Sequence, residues 1–248
     1  MPHLVLGIDI GGSGIKGAPV DLETGALRAD RWRIPTPQPA TPEAVAQAVA
    51  ELVQHFAWSG PVGCAFPAVV ISGVTRSAAN VDAAFIGLNT GQLLASATGC
   101  PLHLINDADA AGLAEARWGA GKGCSGRILL LTFGTGIGSA LIDSGRLIAN
   151  TELGHLQLGK HEIEPWASEQ AREEQGLSWK RWAKRLNRYF ALLDLLFSPD
   201  LYIFGGGVSK HFEHLEKYLK VATPVVAAQL HNDAGIAGAA LSWQLFGS

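Results

Sequence analysis

One pattern constrains this chain more than any other. A short apolar strand, a glycine-rich turn and a returning strand occur near the start and again about 120 residues later. In the first copy, residues 3–10 (HLVLGIDI) are rich in Leu, Val and Ile and stop at Gly11-Gly12, which reads as a buried strand. The chain then returns over Ile15–Val20 and turns at Asp21–Gly25, and Ala26–Ile34 is expected as the third strand of a meander. In the second copy, Ile128–Phe133 leads into Gly134-Thr135-Gly136-Ile137-Gly138, then Ser139–Ile142, a turn at Asp143-Ser144-Gly145, and Arg146–Ile148. A repeat of this size implies two similar α/β lobes with a cleft between them. The expected division is an N-terminal lobe of residues 1–108, joined by a C-terminal helix over 234–248, and a C-terminal lobe of residues 109–233.

The stretch between the copies carries clear helix and strand signals. Thr41-Pro42-Glu43 combines a hydroxyl cap, a first-turn proline and an early acid, and Val45, Val49, Leu52 and Val53 then keep helical spacing. Val62–Phe66 and Val69–Val74 read as strands extending the sheet, and Gln92–Thr98 as a helix. Leu102–Ile105 is a strand ending at Asn106-Asp107-Ala108-Asp109, with a helix expected onward through Arg117. Later come a helix over Trp179–Phe197, a strand over Leu201–Phe204 and a helix over Ala234–Phe246.

Glycine makes up 30 of 248 residues, well above the ordinary share of about 7%. It follows no Gly-X-Y period, so collagen is excluded, and it clusters at the ends of apolar runs, where backbone turns sharply or approaches something closely. A net charge of −3 argues against a general nucleic-acid or membrane-surface partner. Cys64, Cys100 and Cys124 are too scattered for a disulfide framework or a metal knuckle, so a reducing cytoplasm is the expected location. No apolar run approaches the roughly 18 residues that span a bilayer.

Three glycine motifs carry chemistry. In Asp9-Ile10-Gly11-Gly12-Ser13-Gly14-Ile15-Lys16, successive backbone N–H groups can converge on one anion, with Ser13 and Lys16 as added donors. The Walker spacing is absent, and the return as a strand disfavours a dinucleotide fold. Thr135, Gly136 and Gly138 form the equivalent loop in the second copy, and Gly205-Gly206-Gly207-Val208-Ser209 suits approach to a phosphate chain. Tight hairpins and a strand-to-helix turn are the plain structural alternatives. Lys180, Lys184 and Arg188 recur every four residues as a cationic stripe, with Lys210, Lys217 and Lys220 as a second set.

These motifs, with Asn106-Asp107 and Glu152-Leu153-Gly154-His155, resemble the ROK sugar kinases of the hexokinase–actin-like superfamily. The blocks GIDIGGSGIKG, IPTPQPATPE, SAANVD, INDADAAGLAEARWGAG, TFGTGIGSA, ELGH and LYIFGGGVSK look like its polyphosphate glucokinase branch along essentially the whole chain. The resemblance implies a two-lobed actin-like ATPase / ribonuclease H-like duplicated fold with a central cleft. It implies transfer of a phosphoryl group from inorganic polyphosphate, with ATP as a further donor, to the 6-hydroxyl of glucose. Asp107 would be the general base, with Asp109 as its local rival and capping of the next helix as the alternative role. Asn80, Asn106, Asp107, Glu152, His155 and Glu164 would contact the sugar, whose hydroxyls both donate and accept. Gly11, Gly12, Ser13, Lys16, Thr135, Gly136, Gly138, Gly206 and Gly207 would hold phosphate, and Asp9 would position Mg²⁺, through water. The stripe of Lys180, Lys184 and Arg188, continued by Lys210, suits a long polyanion or is a solvated face. The cysteine cluster that binds structural zinc in many ROK members is missing from LQLGKHEIEPWAS, so no zinc is expected and packing, with Trp166 as candidate, must support His155. A homodimer is implied by the resemblance. The competing readings are a strictly ATP-dependent hexokinase, a sugar-responsive regulator, for which no room precedes the first strand, and an actin-like filament protein.

Overall fold

Five of the seven residues of β1 (Leu4–Ile10) are buried, as an apolar run stopped by glycine requires. It pairs antiparallel with β2 (Ile15–Asp21), which pairs with β3 (Trp32–Ile34). Helix α1 (Pro42–His55) starts where Thr41 Oγ1 accepts the Ala44 N–H at 3.3 Å. Then follow β4 (Val62–Phe66), a small hairpin of β5 (Val70–Ile71) and β6 (Val74–Thr75), α2 (Thr90–Thr98), β7 (Leu102–Asn106) and α3 (Asp107–Trp118). The computed structural model describes residues 3–78 and 81–247. They fall into two units, Met1–Ala114 with Asn232–Ser248, and Glu115–His231, so the boundary lies inside α3 and not at its first turn.

The second unit contains β8 (Arg127–Phe133), β9 (Ile137–Asp143), β10 (Arg146–Ile148), β11 (Gln157–Leu158) and β12 (His161–Glu162). Helices α4 (Ile163–Ala167), α5 (Glu169–Glu174) and α6 (Trp179–Phe197) follow, then β13 (Leu201–Gly205), α7 (Phe212–Glu216) and β14 (Val225–Ala227). The chain returns to the first unit as α8 (Ala234–Phe246).

The repeat seen in the sequence is a repeat of topology. The first sheet runs β3-β2-β1-β4-β7 and the second β10-β9-β8-β13-β14. In each, three strands form an antiparallel meander and two more add in parallel on the far side of the first. The first core gathers Leu6, Ile8, Ile10, Val49, Leu52, Phe66 and Phe85. The second is aromatic: Phe133 stacks on Phe204 at 4.6 Å and meets Trp182 edge-on at 5.8 Å. Both α6 and α8 match their expected bounds.

α8 lies against the first sheet through backbone-to-backbone contact. A Cβ at Gly63 would stand 1.7 Å from the Ala239 carbonyl oxygen, and one at Gly238 would stand 1.6 Å from that of Ala110. Small residues in that helix are therefore a packing requirement.

Two expectations need correction. The strand expected over Ala26–Ile34 is only Trp32–Ile34, with a lone bridge from Val20 to Leu27 before it. Along the rest of that stretch Arg28 pairs with Asp21 at 2.5 Å and Arg31 with Asp233 at 2.6 Å. Val69–Val74 does not extend the main sheet. It folds on itself as β5–β6, because Ser72 and Gly73, at φ of 51° and 77°, make a two-residue turn. No described helix is long and apolar enough to cross a membrane.

Candidate active site

In the first unit, the loop between β1 and β2 is closed by a 3.0 Å bond from the Gly11 N–H to the Gly14 carbonyl. Thr36 Oγ1 donates to the Gly11 carbonyl and an Arg33 Nη2 proton to the Ser13 carbonyl, each at 2.5 Å. Gly12 and Ser13 remain exposed at the crown. Lys16, expected as a phosphate donor, has its ammonium 3.0 Å from Asp9 Oδ2 and 3.2 Å from the Asn232 carbonyl, so it is already paired. Asp9 is thus paired with Lys16. Its carboxylate supplies the hard oxygen that Mg²⁺ prefers, and one or two carboxylates plus substrate phosphates are the usual ligands of such a site. The residue fits that role.

At the end of β7, Asn106 caps α3. Its Oδ1 accepts the N–H groups of Ala108 at 2.9 Å and Asp109 at 3.0 Å, while Nδ2 donates to the Ala68 carbonyl at 3.1 Å. Those bonds hold the strand end and so aim the next residue. Asp107 is part-exposed, its Oδ1 accepting the Ala108 N–H at 2.8 Å. Asp109 is fully buried, so of the two rivals only Asp107 is accessible to a substrate. Asn80 lies outside the described residues.

In the second unit, the loop between β8 and β9 closes in the same way, from the Gly134 N–H to the Gly136 carbonyl at 3.0 Å, leaving Thr135 exposed. Glu164, expected at the sugar, is bound to this loop: Oε2 accepts the Ile137 N–H at 2.8 Å. A Cβ at Gly136 would fall 2.4 Å from that oxygen, so a side chain there would displace the Glu164 carboxylate from the loop. Gly138 lies in β9, opposite Thr132. At the end of β13, Gly206 has φ of 85°, and a Cβ would stand 2.1 Å from the Phe133 carbonyl; Gly207 opens the following turn.

Glu152 and His155 stand on a short turn anchored by Ser139, whose Oγ accepts the Leu153 N–H at 2.9 Å. Glu152 adopts a left-handed backbone, φ 34°. His155 Nδ1 is 2.7 Å from Glu162 Oε1, and Nε2 is 3.9 Å from Glu152 Oε2. The hydrogen bond to Glu162 pushes the imidazole pKa up, with the surrounding carboxylates adding to it. Burial pushes the Glu152 carboxyl up, partly offset by His155. Glu162 was not foreseen. It reaches His155 because the β11–β12 hairpin folds back, pairing Gln157 with Glu162; the Gly159-Lys160 turn is its only sequence signal.

That hairpin is braced by Trp166, which stacks on His161 at 5.0 Å and lies beneath the guanidinium groups of Arg185 and Arg188 at 5.4 and 5.2 Å. Lys180, Lys184 and Arg188 are exposed along α6, so the stripe is real, although Arg188 also packs on Trp166. Trp179 contacts His211 and His214 at 6.3 and 5.7 Å, which brings the turn carrying Lys210 to the head of the stripe.

Two sheets of one topology, each with a glycine hairpin between its first two strands, define the class: the duplicated, actin-like ATPase / ribonuclease H-like α/β fold. The ROK family profile matches residues 5–164, and the chain belongs to the ROK family. It is 51% identical over 237 residues to the polyphosphate glucokinase of Mycobacterium tuberculosis, covering 95% of this chain and 89% of that protein. It also superposes on the crystal structure of an inorganic polyphosphate/ATP-glucomannokinase from Arthrobacter sp. strain KM. That match has a TM-score of 0.93 and 50% identity, covering 98% and 99% of the two chains. A ROK family glucokinase from Streptomyces griseus, in complex with glucose and AMPPNP, matches with a TM-score of 0.81 and 25% identity over 96% and 98%.

Proposed function

We propose that this chain is a polyphosphate glucokinase, moving the terminal phosphoryl group of inorganic polyphosphate to the 6-hydroxyl of glucose. The observation that carries this reading is the likeness to the mycobacterial polyphosphate glucokinase along nearly the whole chain. The likeness to a polyphosphate/ATP-glucomannokinase supports ATP as a second donor and mannose as a second acceptor.

Asp107 is the group for the proton. Its carboxylate takes the hydrogen of the 6-hydroxyl as that oxygen bonds to the terminal phosphorus, and the bridging bond breaks to release polyphosphate one unit shorter, or ADP. Asn106 holds the base at the start of α3. Glu152 and His155 recognise sugar hydroxyls, with Asn80 assigned the same task on the family resemblance alone. With Nδ1 engaged by Glu162, a protonated His155 keeps its Nε2–H to donate to a sugar hydroxyl. Glu164 acts one step back, by holding the loop that presents Thr135. The loops at Gly11–Gly14 and Gly134–Gly136 present backbone donors to phosphate, and Gly206 and Gly207 serve the far end of the donor. Mg²⁺ bound at Asp9 would offset phosphate charge as the bond to phosphorus forms. The α6 stripe with Lys210 guides the rest of the polyphosphate chain by charge. A cytoplasmic location and a homodimer complete the reading.

A coupled glucose 6-phosphate assay with polyphosphate and with ATP tests it directly. Turnover is expected with polyphosphate, and failure with both donors ends the proposal. Asp107→Ala is expected to lose at least about a thousandfold in kcat, within the combined reach of general-base and positioning effects, while glucose still binds by calorimetry. A near-normal kcat in that variant removes Asp107 as the base.

A further inference from the structure

Cross-strand pairing sets three charged residues in one row beside the first glycine loop. Asp9 lies opposite Lys16 between β1 and β2, and Lys16 opposite Arg33 between β2 and β3. Directly paired residues project from the same face of a sheet, so the row reads acid, base, base. Lys16 is neutralised by Asp9 at 3.0 Å. In the connection between β2 and β3, Arg28 is held by Asp21 and Arg31 by Asp233. Arg33 is the exception. Among the described residues it has no carboxylate partner, and its one hydrogen bond goes to the Ser13 carbonyl.

Its placement is specific. A Cβ at Gly14 would lie 2.4 Å from Nε and 2.6 Å from both Cζ and Nη2, so the guanidinium rests directly on the loop backbone. A guanidinium offers five N–H donors in a planar fork suited to phosphate oxygens. One is bound to Ser13, and the side chain is exposed beside the uncovered crown of Gly12 and Ser13.

We propose that Arg33 is the donor-binding cation of this loop, gripping phosphoryl oxygens of the polyphosphate or nucleotide tail, and that Lys16 instead keeps Asp9 in place. The inference builds on the kinase reading above and supplies a residue that reading lacked. Bonding to Ser13 makes the same side chain set the loop, so that anion and loop are held by one group.

The test is a set of three proteins: wild type, Arg33→Met and Arg33→Lys. Inorganic tripolyphosphate binding is measured by calorimetry, alongside KM for donor and for glucose. Arg33→Met is expected to weaken tripolyphosphate binding and raise donor KM by about 10- to 100-fold, the scale of a lost charge-assisted contact. KM for glucose and the melting temperature stay within the wild-type range. Arg33→Lys, which keeps the charge but not the fork, recovers part of the loss. Donor KM within twofold of wild type in Arg33→Met overturns the proposal. So does a parallel rise in both KM values with a lower melting temperature, since that marks a brace alone. If wild type turns over neither donor, the kinase reading falls, while tripolyphosphate binding by wild type against Arg33→Met still decides the role of Arg33.

Discussion

Glu164 separates two roles that one residue type can play, and its removal has a calculable consequence. Its Oε2 takes the Ile137 N–H at 2.8 Å, at the point where the second glycine loop enters β9. Glu164→Ala leaves that N–H without its acceptor. Losing the partner of a buried donor costs about 1–3 kcal/mol; this site is part-buried, and water recovers some of the loss, giving about 1–2 kcal/mol. For a chain of this size each kcal/mol lowers Tm by roughly 2–4 °C, so calorimetry should register a fall of about 2–8 °C. Glu164→Gln keeps a carbonyl acceptor and should retain most of the stability. Gly136→Ala reaches the same bond from the other side, because the added Cβ would meet Oε2, Cδ and Oε1 of Glu164 at 2.4, 2.9 and 3.3 Å. Each single change displaces one interaction, so the double variant should melt within about 2 °C of Glu164→Ala, a coupling expected of groups in contact. Additive losses, or an unchanged Tm in Glu164→Ala, would refute the assignment of Glu164 to the loop and return it to the sugar.

Two further outcomes follow from the same structure. Pairing with Glu162 raises the His155 pKa in the folded protein, so its stabilisation is full below the unfolded value of about 6.5 and is lost as pH rises through the folded value. Glu162→Gln should lower the His155 pKa in an NMR titration and destabilise more at pH 6 than at pH 9, and a pH-independent gap would count against the pair. Gly238→Ala drives a Cβ to 1.6 Å from the Ala110 carbonyl oxygen, so α3 and α8 must separate. Urea denaturation should then show a loss of about 1–3 kcal/mol or more, and a midpoint equal to wild type would contradict the close packing.

Local signals carried far in this chain. Thr41-Pro42-Glu43 marked the start of α1 because a hydroxyl acceptor, a missing N–H and an early acid all act within one turn. Trp182, Ala183, Leu186, Phe190 and Leu193 keep helical spacing and lie on the buried face of α6 for the same reason, that spacing along a helix is a local property. Ala26–Ile34 pairs as a strand only over Trp32–Ile34, and Arg31 within it meets Asp233 some 200 positions away, a contact that residue order does not show. Glu162 was invisible at the site because its meeting with His155 depends on a hairpin register.

By itself, the sequence determined the duplicated plan, the glycine loops, the position of Asp107 and the family, since repetition, glycine clusters and ordered motif blocks are all written in residue order. Tertiary structure decided which charges are already satisfied. Lys16 and Arg33 look alike in the sequence, yet strand pairing gives one an aspartate and leaves the other a carbonyl. Glu162 and Glu164 stand two residues apart, yet one bonds a histidine and the other a loop amide. Residue order lists donors and acceptors, and only folding in three dimensions chooses between partners that compete for them.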